Sequence, residues 1–188
     1  MTTRAEAARA TGEAILDAAC AAFGRERFDR VTLNEIATSS GVTVQTVIRR
    51  FGSKEDLFEA VARREGARVV ADRMVDADAD LDTALITLLH HYEEDGDVVL
   101  HLAAQEQESD PVRDVVLRGR RVHREWVERH CRDLFAGVRG RERERRVHAA
   151  IAATDLSTWK LLRRDLALER TEVAEIMKKL LSGLAEET

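Results

Sequence analysis

Three helix starts crowd into the stretch from Val31 to Lys54, which leaves room only for short helices joined by tight turns. Thr32 stands three residues before Glu35, the pattern of a capping box, and Val31 and Ile36 are placed as its hydrophobic staple. Leu33, Ile36 and Ala37 then form an apolar face at helical spacing. Ser39-Ser40-Gly41 stops that helix, because glycine enters the left-handed region without a steric penalty. Thr43 caps the next helix, with Val42 stapling to Val47. Ser53 caps a third, whose first turn holds Lys54.

Within the second of these helices only Val47 and Phe51 are committed to a core. Thr43, Val44, Gln45, Thr46, Arg49 and Arg50 are left facing largely outward, an unusual set to expose on so short a helix. Small residues are needed where two such helices cross, and Ala37 and Gly41 stand there. The pattern fits a helix-turn-helix, whose second helix presents hydrogen-bonding side chains to base edges in a major groove. It also fits an ordinary helical hairpin of an all-α protein. The outward Thr, Gln and Arg side chains and the flanking caps favour the DNA reader.

The rest of the chain points to an all-α fold. It has 188 residues, one proline (Pro111), 4% aromatic residues and no alternating apolar pattern that would mark a strand. That length suits a small DNA-binding module plus a larger helical domain. No apolar run approaches the ~20 residues of a membrane span, and no signal-peptide pattern opens the chain. Cys20 and Cys131 fall in different predicted helices with no Cys-x-x-Cys spacing, which suits reduced thiols and a cytoplasmic location.

Charge is unevenly divided. The net charge is −5, yet Arg25 to Lys54 holds six Lys/Arg against three Asp/Glu. Asp76 to Thr188 holds eighteen against twenty-four. A small basic face on an acidic body suits docking of one end onto phosphates and argues against non-specific coating of nucleic acid.

Taken in order, the chain reads as a loose start to about Arg4, then a helix to about Phe23 with Ala8, Ile15, Ala19, Ala22 and Phe23 on one face. Phe28 fills the gap before Thr32. Leu57, Phe58, Val61 and Val69 face inward on a helix from Lys54 to about Met74. Asp76 to Asp82 is a break, and Asp80 caps a helix through about Glu93. Glu94-Asp95-Gly96-Asp97 reads as a second break, followed by a short helix from Val98 to about Glu108. Asp110 and Pro111 open a long helix to about Phe135. The charged run from Arg139 to Arg146 reads as a solvated first turn of a helix from about Arg141 to Arg164. A last helix runs from a cap at Thr171 to about Ala185, apolar over a wide arc that suits burial against a partner chain.

Catalysis is hard to build from these residues. There is no Gly-rich phosphate loop and no Gly-x-Ser-x-Gly, and the adjacent His90 and His91 point to different helix faces. His123, His130 and Cys131 are too few and scattered for a strong metal site. No cofactor, metal or catalytic residue is expected, and the chain is not expected to be an enzyme.

Gly41-Val42-Thr43, Val47-Ile48-Arg49-Arg50-Phe51 and Gly52-Ser53-Lys54-Glu55-Asp56-Leu57 resemble the N-terminal domain of TetR-family transcriptional regulators over the first third of the chain. The family usually has an aromatic residue where this chain has Ile48. The resemblance implies a helix-turn-helix DNA-binding domain over residues 1–52 and a helical regulatory and dimerisation domain over 53–188, with the helix from about 54 to 74 as connector. It implies a homodimer on double-stranded operator DNA, most often a repressor released by a small-molecule effector. Thr32, Thr43, Val44, Gln45, Thr46, Ile48, Arg49, Arg50 and Lys54 become the DNA-contacting set. Arg49 is suited to guanine, Gln45 to adenine, and Thr32, Thr43, Thr46, Arg50 and Lys54 mainly to phosphate, while Ile48 is suited to a thymine methyl or to packing. A pocket between helices needs a few polar groups on an apolar wall, for which His90, Tyr92, His101, Gln105, His123, Trp126 and Thr154 are candidates. Dimerisation through the last two helices assigns Ile151, Trp159, Val173, Ile176, Met177, Leu180 and Leu184 to the interface. The remaining readings are a DNA-binding regulator with no small ligand, controlled by a protein partner or by concentration, and a helical metal-binding or enzymatic protein.

Overall fold

The computed structural model of the chain describes residues 3–74 and 79–186, and every regular element among them is helical. In order these are α1 (Arg4–Arg25), α2 (Leu33–Ser39), α3 (Val44–Phe51), α4 (Lys54–Met74), α5 (Leu81–Ala103), α6 (Asp110–His130), a 3-10 turn (Arg132–Phe135), α7 (Gly140–Thr154), α8 (Leu156–Trp159), a π-helical segment (Lys160–Asp165) and α9 (Arg170–Glu186). Two compact units form, one from Met1–Ala67 with His101–Leu117, the other from Arg68–Leu100 with Arg118–Thr188.

The first unit closes over Ile15, Ala19 and Phe23 of α1, Ile36 of α2, Val47 of α3, Leu57, Phe58 and Val61 of α4, and Val112 of α6. Phe28 fills the space before α2, with its ring edge-on to Phe58 at 5.2 Å between centroids. Ala8, expected on the buried face of α1, is exposed. Local caps set the helix starts. Thr3 and Glu6 form a capping box on α1. The Thr32 hydroxyl accepts from Glu35 N at 3.2 Å, while the Glu35 carboxylate turns to Arg25 at 3.1 Å instead of returning to the cap. Thr43 Oγ1 accepts from Thr46 N at 3.2 Å. Asp56 N donates to Ser53 Oγ at 3.0 Å, and Ser53 N donates back to the Asp56 carboxylate at 3.1 Å. Between α2 and α3, Gly41 sits at φ +69° while Val42 N donates to Ala37 O at 3.0 Å and Gly41 N to Thr38 O at 3.2 Å. This is a Schellman turn, and it needs the left-handed residue that glycine provides.

The second unit is built on Leu85, Leu88, Leu89 and Tyr92 of α5, Trp126 and Val127 of α6, Val147 and Ala150 of α7, Trp159 of α8, and Val173, Met177 and Leu181 of α9. Asp80 caps α5 as the sequence indicates, accepting from Thr83 N at 2.8 Å. Part of the expected 76–82 break, residues 76–78, lies outside the described residues.

Three boundaries differ from the sequence reading. Glu94-Asp95-Gly96-Asp97 is no break: α5 runs through it to Ala103. Gly96 is buried there, and a Cβ on it would lie 2.8 Å from Trp159 Cζ3, so its role is to admit the indole ring. The flanking acids are neutralised by Arg68 on Asp95 at 2.6 Å, Arg163 on Glu93 at 2.7 Å and Arg164 on Asp97 at 3.1 Å. The long helix expected to reach Phe135 ends at His130 and tightens into the 3-10 turn. The helix expected from Arg141 to Arg164 is interrupted at Asp155, whose extended backbone (ψ 152°) and carboxylate, accepting from Ser157 N at 2.8 Å, start a new helix. The Arg139–Arg146 run is not wholly solvated, because Arg146 is buried with its guanidinium on Leu134 O at 3.2 Å.

Candidate nucleic-acid interface

α3 divides sharply between its two faces. Val47 is buried, and Val44 and Phe51 pack half-buried against the first core. Gln45, Arg49 and Arg50 are exposed, and among the described residues none of them has a hydrogen bond or ion pair within the chain. Ile48 is 41% exposed beside them, a large aliphatic side chain open to solvent over much of its surface. Thr43 and Thr46 share a 3.0 Å hydroxyl contact at the helix start, next to the Thr43 cap. Arg49 and Arg50 lie in the last turn, where positive charge also favours the helix dipole. Such a face offers hydrogen-bond donors and acceptors, a methyl-sized apolar contact and positive charge on one rigid rod. Those are the groups that base edges and phosphates take.

Thr32 is exposed at the start of α2, with its hydroxyl already accepting from Glu35 N. Lys54 is placed differently from a freely extended phosphate contact. Its Nζ donates to Phe28 O at 2.8 Å and Asp29 O at 3.4 Å and lies 4.6 Å from the centre of the Phe28 ring. The Glu26–Asp29 loop is held from other directions as well. Phe28 N donates to Gln105 Oε1 at 2.8 Å, Gln105 Nε2 donates to His101 O at 2.9 Å, and the His101 ring nitrogen Nε2 meets Glu26 O at 3.1 Å. Arg27 pairs with Glu108. The end of α5 and the turn after it therefore fix the connection between α1 and α2, and through it the seat of the helix-turn-helix.

That arrangement separates the residues considered for a small-molecule pocket. His101 and Gln105 belong to the first unit and bind backbone there. His90 is exposed. His123, Trp126 and Thr154 do come together in the second unit: the His123 and Trp126 rings stack at 5.9 Å, and Thr154 Oγ1 lies 3.2 Å from His123 Nε2. Tyr92 OH donates to Thr154 O at 3.0 Å in the same cluster. A groove of about 360 Å³ lies elsewhere, on the first unit, lined by Ala14, Ala18, Ala21, Glu35 and Ser39. None of the pocket candidates lines it.

The interface residues also divide. Trp159, Val173 and Met177 are fully buried inside the chain's own core, so they offer no surface to a partner. Ile176, Leu184 and Ile151 are half-buried, and Leu180 is 49% exposed. Sequence reasoning passed over His91, whose Nδ1 meets Asp95 at 3.1 Å while Arg68 takes the same carboxylate oxygen. The i, i+4 spacing of His91 and Asp95 carried that signal.

Among the described residues no group of three or more His, Cys, Asp or Glu side chains is placed to hold a metal ion. Burial pushes the Cys131 thiol up to about 12, far from a reactive thiolate. No helix among the described residues is long and apolar enough to cross a membrane.

Residues 15–61 match the model of the bacterial regulatory proteins of the tetR family. Solved structures share the fold over most of the chain. A TetR-like transcriptional regulator from Rhodococcus sp. RHA1 superposes with a TM-score of 0.72 at 20% identity, covering 94% of this chain and 97% of that one. A tetR-family transcriptional regulator from Streptomyces coelicolor gives 0.67 at 21% identity, covering 93% and 79%. A transcriptional regulator from Aquifex aeolicus VF5 gives 0.64 at 18% identity, covering 93% and 97%.

Proposed function

We propose, on the premise that residues 15–61 form a tetR-family N-terminal domain within a TetR-like fold, that this protein is a dimeric, sequence-specific DNA-binding repressor. The observation that carries this reading is the outward face of α3, where Gln45, Arg49 and Arg50 stand exposed with no hydrogen bond or ion pair among the described residues. Arg49 reads guanine, Gln45 reads adenine, and Thr32, Thr43, Thr46 and Arg50 position the protein on phosphates. Lys54, while its Nζ keeps its bonds to Phe28 O and Asp29 O, adds its positive charge beside the phosphate backbone. Val44 and Ile48 supply apolar contact. Two α3 helices related by a two-fold axis enter successive major grooves about 34–36 Å apart.

In this reading residues 1–52 contact DNA, residues 53–188 regulate and dimerise, and α4 connects them. Ile151, Ile176, Leu180 and Leu184 supply the apolar surface for the second copy. A small ligand bound in the second part releases the protein by favouring a conformation that does not fit the operator. Selection of random duplexes by the purified protein tests the core of the proposal. Enrichment of a palindrome with half-sites about one helical turn apart is the expected result. No enrichment at moderate salt overturns it.

A second reading, a regulator with no small-molecule inducer, is favoured by the internal hydrogen bonds that occupy His101, Gln105, Tyr92 and Thr154. These residues already have partners in the chain and need no ligand to satisfy them. A screen in which no small molecule shifts operator affinity, alongside a protein partner that does, selects this reading over the first.

A further inference from the structure

Gly12 lies inside α1, a position where glycine weakens a helix relative to alanine. It is buried, and the atoms nearest the space a Cβ would fill belong to the Arg50 guanidinium: Nη2 at 2.3 Å, Nε at 2.5 Å and Cζ at 2.6 Å. Nη2 and Nε come nearest and Cζ stands behind them, so it is this edge of the guanidinium that occupies the space where the side chain is missing. Gly66 in α4 and Gly119 in α6 are also helix-interior glycines, yet nothing stands within 4 Å of their Cβ positions. The open face of Gly12 is therefore occupied by the Arg50 guanidinium. Arg50 itself stays exposed and has no carboxylate partner among the described residues.

We infer that Gly12 is a positioning residue for DNA binding: it seats the Arg50 guanidinium against α1 so that its outward N–H donors meet a backbone phosphate in a fixed orientation. The inference rests on the DNA-reading proposal above. A free arginine loses side-chain freedom when it is ordered on a phosphate, whereas a seated one has already lost much of it in the unbound protein. The planar fork also binds phosphate best in one orientation, which a fixed seat for one of its edges defines. Any Cβ at position 12 lifts the head from the helix and restores its freedom. The guanidinium is the far end of a flexible side chain, so the displacement leaves the fold intact.

The test is a double-mutant cycle on the full-length protein with Gly12→Ala, Arg50→Ala and the double variant. Affinity for the selected operator duplex and for a random-sequence duplex is measured across a salt series. Thermal unfolding first establishes that Gly12→Ala folds; alanine in a helix interior is expected to raise the melting temperature. The expected result is a loss of affinity of about three- to tenfold for both duplexes in Gly12→Ala, with a salt slope shallower by up to about one. No further loss is expected when Gly12→Ala is added to Arg50→Ala. Wild-type affinity in Gly12→Ala, or the same loss with and without Arg50, overturns the inference while leaving the DNA-reading proposal standing. A wild-type protein that binds neither duplex overturns both.

Discussion

Gln105, 2% exposed, accepts the backbone amide of Phe28 across 77 residues of sequence, at 2.8 Å. The bond joins the turn after α5 to the loop that leads into the helix-turn-helix. Truncation of Gln105 leaves a buried amide with no acceptor, and an unsatisfied buried donor costs about 1–3 kcal/mol. Gln105→Ala is expected to lower the stability of the protein by that amount in chemical denaturation. A midpoint unchanged from wild type shows that water satisfies Phe28 N.

Arg49 and Lys54, two cationic side chains of the proposed reading surface, have different expected signatures. Arg49→Ala is expected to lose discrimination at a single base position, by about 1–3 kcal/mol. Lys54→Ala is expected to weaken binding to every duplex and flatten the salt dependence, and also to lower stability by about 1 kcal/mol through its lost bond to Phe28 O. Titration of a set of single-base operator variants, with denaturation of each protein, separates the two. Operator binding by Arg49→Ala equal to wild type removes Arg49 as a reader.

Asp95 is held below the usual carboxylate range by the hydrogen bond from His91 and then by the Arg68 guanidinium, against the opposing effect of its partial burial. A depressed carboxylate contributes stability that is present above the ordinary carboxylate pKa and lost as pH falls through the lowered one. Melting temperature is therefore expected to fall on acidification below about pH 4, and Asp95→Asn is expected to flatten that limb while lowering stability at neutral pH. Unfolding followed across a pH series reads both effects. An acid limb of unchanged steepness in Asp95→Asn assigns the dependence to other carboxylates.

Gly96 offers the opposite case to Gly12. Its missing Cβ faces Trp159 Cζ3 at 2.8 Å and Cη2 at 2.9 Å, atoms of a rigid ring with no exposed surface. Gly96→Ala is expected to cost about 1–3 kcal/mol by overpacking, despite the gain in helix propensity. A more stable Gly96→Ala protein shows that the indole can shift.

What could be read from the sequence was set by interactions within a few residues. Thr32, Thr43 and Ser53 identify themselves as caps because their partners lie three residues on, and Gly41 marks its turn for the same reason. The outward face of α3 follows directly from those limits. The acidic stretch at Glu93–Asp97 could not be read as helix, because the arginines that neutralise it, Arg68, Arg163 and Arg164, lie far away in the chain, as does the Trp159 ring that needs Gly96. His101 and Gln105 looked like pocket groups for a related reason: their acceptor and donor are the backbone atoms of Glu26 and Phe28, which no side-chain pattern reveals. The interruption at Asp155 carried a local signal, an aspartate two residues before Ser157, masked by the apolar residues on either side.

Trp126 and Trp159 are the only tryptophans of the chain, and Tyr92 is its only tyrosine; all three lie in the second unit, with both indoles fully enclosed. The first unit has phenylalanine alone as its aromatic reporter. Intrinsic tryptophan emission therefore watches one unit and is blind to the melting of the other, whereas far-ultraviolet circular dichroism sees the helices of both. An unfolding curve followed by fluorescence and by dichroism becomes a measure of cooperativity: coincident transitions mean that the two units unfold together, and a dichroism change with no matching emission change is the first unit unfolding alone.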